Sequence, residues 1–190
     1  MSRRAAAVFL AVALAIAVAV GLWWWWRAAR ERAGRARADV PGAPARTETR
    51  TVANLYFPGE GGLLYAERRE IVSAPGAAER ARAVVAALLA GPQGAGLQPP
   101  FPGGVEVGSV AVVGDVAFVD LRAPEQPEPP AGGSLREMLM VYSVVDSVLL
   151  NVPEVKRVAL LWNGVQRESF SGHLDTTRPL AADTSLVARS

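Results

Sequence analysis

From Ala5 to Trp26 the chain runs for 22 residues without a charge and with a single glycine. As a helix that length reaches about 33 Å, enough to cross a bilayer core of roughly 30 Å. A segment apolar on every side cannot lie on the surface of a water-soluble domain. The run therefore sets the N-terminus apart from whatever folds in water. Four consecutive tryptophans, Trp23–Trp26, close it, where indole rings favour the headgroup level of a membrane. A cleavable export signal is the alternative, but its apolar core would span about 7–15 residues and end at small residues. Here the core is longer and ends in Trp and Arg, so the expectation is an uncleaved anchor.

Charge divides the chain in the same place. Residues 1–46 carry a net +6 and residues 47–190 a net −4. The basic character thus belongs to the N-terminus, and the remainder lacks the clustered Lys and Arg of a phosphate-binding surface. No nucleic-acid partner is expected. Arg3 and Arg4 flank the apolar run on one side; Arg27, Arg30, Arg32, Arg35 and Arg37 flank it on the other. By the positive-inside bias this count would place the C-terminal part in the cytoplasm. Residues 27–49 read as a tether, basic and Ala/Arg-rich at first and then broken by Pro41-Gly42-Ala43-Pro44. The organisation expected is a flank at 1–4, an anchor at 5–26, a tether at 27–49, a folded domain at 50–180 and a tail at 181–190.

Within the domain, Thr51–Phe57 is β-rich, and Leu63–Val72 returns after a Gly-rich turn as a second strand with a charged middle, near an edge. Ala81, Val84, Val85, Leu88 and Leu89 recur at helical spacing, and Gly91-Pro92 ends that helix. Val105–Val113 and Val116–Leu121 flank Gly114-Asp115 as a hairpin. Ser134 with Glu137 matches a capping box opening a second helix, whose core stripe reads Leu135, Met138, Leu139, Tyr142, Val145 and Leu149. Val155–Trp162 and Val165–Phe170 surround Asn163-Gly164, a strong hairpin signal. The fold class is therefore α+β: two helices on one mixed or mostly antiparallel sheet, in the order β-β-α-β-β-α-β-β, preceded by one transmembrane helix. Long parallel crossovers with a phosphate-binding turn are not expected.

The chain has no cysteine and one histidine. That excludes disulfides, thiolate chemistry, cysteine-based metal sites and a lipid-modified N-terminal cysteine, and leaves no basis for a His-built metal site. His173 is the one candidate base, with Ser169, Ser171 and Asp175 close by in sequence. Such near neighbours in one loop are seldom positioned for a relay, so His173 reads as structural. Asp115 and Asp120 bracket a strand, where Asp ordinarily makes local hydrogen bonds. Glu67, Arg68, Arg69 and Glu70 read as a solvated face. Gly103-Gly104 and Gly132-Gly133 lack the spacing of a nucleotide loop. No catalytic, cofactor-binding or metal-ligating residue is assigned, and no cofactor is implied.

An ordered set of short segments resembles the GerMN domain of sporulation and spore-germination proteins. They are Asn54-Leu55-Tyr56-Phe57-Pro58, Leu64 to Ile71, Ala87-Leu88-Leu89-Ala90-Gly91-Pro92, and Val116 to Leu121. Val155-Lys156-Arg157-Val158, Asn163-Gly164 and Gly172-His173-Leu174-Asp175 follow, before Pro179-Leu180. The resemblance spans roughly Val52–Leu180. It implies a non-catalytic extracytoplasmic module, tethered by a helix or a lipid, that works in assembly or scaffolding of envelope complexes. It also implies an α/β fold similar to the ring-building motifs of secretion machines, and it favours an outward-facing domain, against the arginine count. This chain departs from the family in carrying one copy, where some relatives carry two, and in having no lipidation cysteine; envelope tethering therefore carries over ahead of a role in sporulation or germination. The expected partners are the membrane through residues 5–26 and envelope proteins or a second copy of the chain. The alternative is a module for cell-wall glycan (peptidoglycan) or another small ligand, for which Tyr56, Tyr65, Trp162 and Phe170 are the candidate contacts. A hydrolase using His173 or the Asp115/Asp120 pair is a third reading.

Overall fold

The computed structural model describes residues 49–72 and 74–189. The anchor expected at residues 5–26 and all but the last residue of the tether expected at 27–49 lie outside the described residues, of which no helix is long and apolar enough to cross a membrane. Strand β1 (Arg50–Pro58) pairs antiparallel with β2 (Leu64–Val72), followed by helix α1 (Ala77–Leu89). Strands β3 (Glu106–Val113) and β4 (Val116–Arg122) lead to helix α2 (Ser134–Leu149), then β5 (Arg157–Trp162) and the two-residue β6 (Val165–Gln166). The α+β class and element order match the sequence reading.

The single expected sheet is in fact two. The β1–β2 hairpin stands alone, and β3-β4-β5-β6 form a four-stranded sheet in that order. Side chains from the end of α2 account for the separation. Ser147 Oγ accepts the Tyr56 N–H (3.0 Å), while Asn151 Oδ1 accepts the Asn54 N–H (2.9 Å) and Asn151 Nδ2 donates to the Asn54 carbonyl (2.7 Å). From Asn54 to Tyr56 the outer edge of β1 is thereby hydrogen-bonded to side chains and is closed to another strand.

Strands β4 and β5 pair in parallel, so α2 is the crossover between them, as a parallel neighbour requires. The loop ahead of α2, Ala123–Gly133, is Pro-rich and carries no phosphate-binding pattern. The main core joins Leu55 and Phe57 of β1, Val84, Val85 and Leu88 of α1, Val119 and Leu121 of β4, Val144 and Val148 of α2, and Leu160 and Trp162 of β5. Helix α1 buries the expected Ala81, Val84, Val85 and Leu88. Helix α2 departs from its expected stripe: Leu135 is exposed, while Glu137, Ser143, Asp146 and Ser147 are buried. It touches the hairpin, α1, β5 and the chain's C-terminal segment, so most of its circumference faces protein.

That C-terminal segment is ordered against the domain. Thr184–Leu186 form a 3-10 turn, Val187 bridges Leu64 in parallel, and the Ala188 N–H donates to the Leu64 carbonyl (2.8 Å). Leu186 and Val187 cover a second cluster of Tyr56, Leu64 and Leu139.

The last hairpin is shorter than the apolar pattern suggests. Asn163 (φ 52°) and Gly164 (φ 79°) form its two-residue turn, the left-handed pair that hairpins of this length need. Beyond Gln166 the chain leaves the sheet, and Leu180 takes up pairing with Val158 through two 2.8 Å hydrogen bonds. The intervening residues are drawn to Glu137.

Candidate functional site

Glu137 sits in the first turn of α2 with no exposed surface. It does not close a capping box with Ser134: Gly133 is the N-cap, without a side-chain cap. Its carboxylate instead gathers the loop that follows β6. Oε1 accepts Ser169 Oγ–H (2.6 Å) and the N–H groups of Phe170 (2.9 Å) and Ser171 (2.8 Å). Oε2 accepts the His173 N–H (2.8 Å) and lies 3.1 Å from His173 Nδ1. Burial pushes this carboxyl up, but donation from Ser169 Oγ and from the Ser171, His173 and Leu174 amides outweighs it, holding the group at about 2.

The structure thus brings Ser169, Ser171 and His173 together, around an acid that the sequence reading used only as a cap. The arrangement is a fastener rather than a relay. Ser169 Oγ donates directly to the carboxylate and accepts the Gly172 N–H (2.5 Å), while the His173 ring meets the other carboxylate oxygen. A nucleophile–base–acid chain needs the imidazole between the hydroxyl and the acid. Asp175, the fourth residue of that group, accepts from Thr177 N (2.9 Å) and Thr177 Oγ1 (2.5 Å) in a local turn, which holds its carboxyl below the ordinary range. A shallow depression of about 450 Å³ lies over Ser169, Gly172, His173, Asp175 and Thr177. Ser171 and the rest of the knot are tied beneath: Ser171 Oγ donates to the Pro130 carbonyl (2.8 Å).

The carboxylates Asp115 and Asp120 do not share a cleft. Asp115 lies in the β3–β4 turn and Asp120 five residues along the strand, about 16 Å away at strand rise. Paired glycosidase acids stand no more than about 9.5 Å apart. Asp120 Oδ1 accepts the Gly164 N–H (2.7 Å), which ties β4 to the last turn.

The charged run on β2 is only half solvated. Strand alternation puts Arg68 and Glu70 outside and turns Glu67 and Arg69 inward. Arg69 pairs with Glu67, donates to the Ala87 carbonyl (2.8 Å) and lies over the Phe57 ring. Glu67 Oε2 accepts the N–H groups of Gln93 (2.7 Å) and Gly94 (2.8 Å). Burial raises this carboxyl, and those amides with Arg69 bring it below the ordinary value. The pair therefore fixes the loop after α1, a role that the solvated-face reading misses.

Of the aromatic residues considered for a glycan surface, Tyr56, Trp162 and Phe170 are buried. Trp162 packs edge-on to Phe170 at 6.0 Å and near Phe101 at 6.2 Å, and its Nε1–H donates to the Gln126 carbonyl (2.9 Å). Only Tyr65 keeps partial access, with its hydroxyl on the Glu60 carbonyl (3.3 Å). Among the described residues no three His, Asp or Glu side chains are grouped to hold a metal ion.

The family model for sporulation and spore germination, Germane, matches residues 54–168, from β1 to just beyond β6. The chain belongs to the Germane family. Solved structures agree on the fold. The first GerMN domain of the sporulation protein GerM from Bacillus subtilis is similar with a TM-score of 0.52 at 17% identity, over 69% of this chain and 97% of that one. The tandem GerMN domains of the same protein give 0.52 at 15% identity, over 70% of this chain. This chain spans 46% of that tandem. A crystal structure titled as a putative lipoprotein from Clostridium perfringens gives 0.51 at 20% identity, over 73% of this chain and 93% of that chain. No curated protein matches the chain by sequence. The GerMN-like domain that the short motifs suggest is therefore shown.

Proposed function

We propose that this Germane-family chain is a membrane-anchored, non-catalytic module that binds proteins in the bacterial cell envelope, with its folded domain outside the membrane. The observation that carries the non-catalytic reading is the engagement of His173 and Ser169 by the buried Glu137 carboxylate. The family and the uncharged run Ala5–Trp26 support the envelope setting. The structurally similar Clostridium perfringens protein is described as a putative lipoprotein; this chain, with no cysteine to carry a lipid, would use the apolar helix for the same purpose.

Two measurements test this reading. Replacing Ser190 with Cys in the full-length protein and treating intact cells with a membrane-impermeant maleimide reports orientation, because the chain has no other thiol. Where an outer membrane exists it is permeabilised first, and lysed cells serve as control. Labelling before lysis is expected, and protection until lysis would put the domain in the cytoplasm. Cross-linking in living cells followed by retrieval of the full-length chain should recover a defined envelope protein or a second copy. Recovery of neither removes the assembly reading.

A further inference from the structure

The hairpin has two edges, and only one is closed. Asn54 and Tyr56 turn their backbone groups outward to Asn151 and Ser147. Their register partners on β2 are Arg68 and Ala66. In an antiparallel ladder such pairs point their N–H and C=O groups away from each other. Ala66, Arg68, Glu70 and Val72 therefore present backbone groups along the far edge of β2. The C-terminal segment reaches that edge at Leu64, through Val187 and Ala188. Past Leu64, no described residue hydrogen-bonds to the outward backbone groups of Ala66, Arg68 or Glu70. The side chains of these four residues are exposed.

Charges on an edge strand usually oppose pairing. Here their order favours one partner. The open stretch Ala66–Val72 is centred on Arg69, and two such strands laid antiparallel about that centre bring Arg68 opposite Glu70 of the other copy, and Glu70 opposite its Arg68. The same register sets Ala66 against Val72 at both ends. Opposite charges and apolar pairs directly across a ladder are each stabilising, and like charges there are destabilising. A two-residue shift of the partner centres the strands on Arg68 and sets it against itself. The two Arg69 side chains also meet as like charges across the centre, on the inner face, but each is neutralised by its own Glu67 and held by the Ala87 carbonyl, whereas Arg68 has no ion-pair partner among the described residues of its own hairpin.

We propose that the β2 edge, Ala66–Val72, is a self-association surface, on which a second copy of this chain adds its own β2 antiparallel about Arg69. The two hairpins then join into one four-stranded antiparallel sheet, with the closed β1 edges outermost. This inference rests on the protein-binding reading above and names a surface for it.

The absence of native cysteine makes the register directly measurable. Residues that exchange both backbone hydrogen bonds across an antiparallel pair have Cα atoms about 5.5 Å apart, inside the range that a disulfide spans. Full-length chains carrying Ala66→Cys and full-length chains carrying Val72→Cys are expressed together and mildly oxidised in their membranes. The mixture is expected to give a disulfide-linked dimer, joined between the two substituted positions, at about ten times the yield of either chain alone. Adding Arg68→Glu to both chains sets Glu against Glu twice and is expected to weaken association about tenfold. A further set of chains carries both changes, Arg68→Glu with Glu70→Arg. Both cross-strand pairs are then opposite in sign again, and the yield should return. All four positions are exposed, so these changes leave the core intact.

A mixture no richer in disulfide than either chain alone overturns the proposal. So does a charge loss that the doubly reversed chains fail to rescue. If the disulfide is absent while retrieval from cells still recovers an envelope protein, this edge is wrong and the binding function stands. If both fail, the functional reading falls as well.

Discussion

Asn151 makes, with one side chain, both backbone hydrogen bonds that a neighbouring strand would make to Asn54. Its Nδ2 also donates to the Ser147 carbonyl (2.7 Å), so the amide is fixed from the end of α2 before it meets β1. Together with Ser147 it turns a strand edge into a seam between sheet and helix. The hairpin is attached to the domain by side chains rather than by a third strand.

Asn151→Ala should therefore destabilise the domain by about 2 kcal/mol, the order expected for losing two hydrogen bonds that orient a strand. Asn151→Asp keeps the acceptor for the Asn54 N–H but sets a carboxylate oxygen against the Asn54 and Ser147 carbonyls, so it should cost at least as much as the alanine variant. Urea unfolding of the compact unit Glu48–Ser190 reads the difference. A loss below about 0.5 kcal/mol for the alanine variant would mean that water serves the β1 edge equally well.

The Glu137 knot makes a stronger demand. Glu137→Gln leaves one oxygen, and puts an NH2 group among N–H donors where the carboxylate accepts five hydrogen-bonding contacts. A cost of about 3 kcal/mol is expected, since buried amides lose their partners. Wild-type stability should also respond to acid. The folded value, about 2, lies below the ordinary 4.5, so the stabilisation is complete above 4.5 and is lost as pH falls through about 2. That window is worth roughly 3 kcal/mol by linkage, and it should vanish in Glu137→Gln. Acid titration of both proteins followed by circular dichroism decides the matter, and equal slopes would remove Glu137 as the cause.

How these features appear in the sequence differs with their range. The α1 stripe, the Gly91-Pro92 stop and the Asn163-Gly164 turn are local devices, and each is found where its residues place it. The division into two sheets is not legible, because it depends on Ser147 and Asn151 meeting a strand more than 90 residues earlier. Glu137 follows Ser134 at capping-box spacing, and nothing local reveals that its partners lie at Ser169–His173. The signal available was a buried-helix context for an acid, visible only once Met140, Val141, Val144 and Val148 are counted as core on the same helix. Strand alternation alone would have separated Glu67 and Arg69 from Arg68 and Glu70.

Asp146 should bend the pH profile the opposite way. Burial, with the Asp183 charge adding to it, raises its carboxyl to about 6 against the pull of the Asp183 N–H on Oδ1 (3.1 Å), while Oδ2 is buried without a partner. An acid raised on folding is most favourable where it is protonated in both states. Stability from this group is therefore greatest below 3.8, falls as pH rises to about 6, and is level above that. Asp146→Asn keeps the acceptor for Asp183 and removes the desolvated charge. At pH 7 it should be about 2 kcal/mol more stable than wild type, and the difference should disappear near pH 4. Thermal melts across that range test it; a variant less stable at pH 7 would show that the charge has a partner the burial argument omits.

The C-terminal segment offers the last test, because its contribution is to cover rather than to connect. Leu64 is fully buried and Leu139 nearly so, yet both face outward from the main core, under Leu186 and Val187. Ending the chain after Ala182 removes that cover, the Asp183 N–H from Asp146, and the Val187 bridge to Leu64. Uncovering two large apolar side chains and part of Tyr56 should cost about 3 kcal/mol. Leu186→Ala, which keeps the backbone pairing, should cost roughly half of that. Two consequences separate burial from the hydrogen bonds. The truncated domain should bind a hydrophobic dye at the exposed cluster, and Leu186→Ala should do so more weakly in proportion to its lost stability. If truncation lowers stability while Leu186→Ala does not, the backbone bridge at Leu64 and the Asp146–Asp183 contact hold the segment, and the apolar cover is incidental.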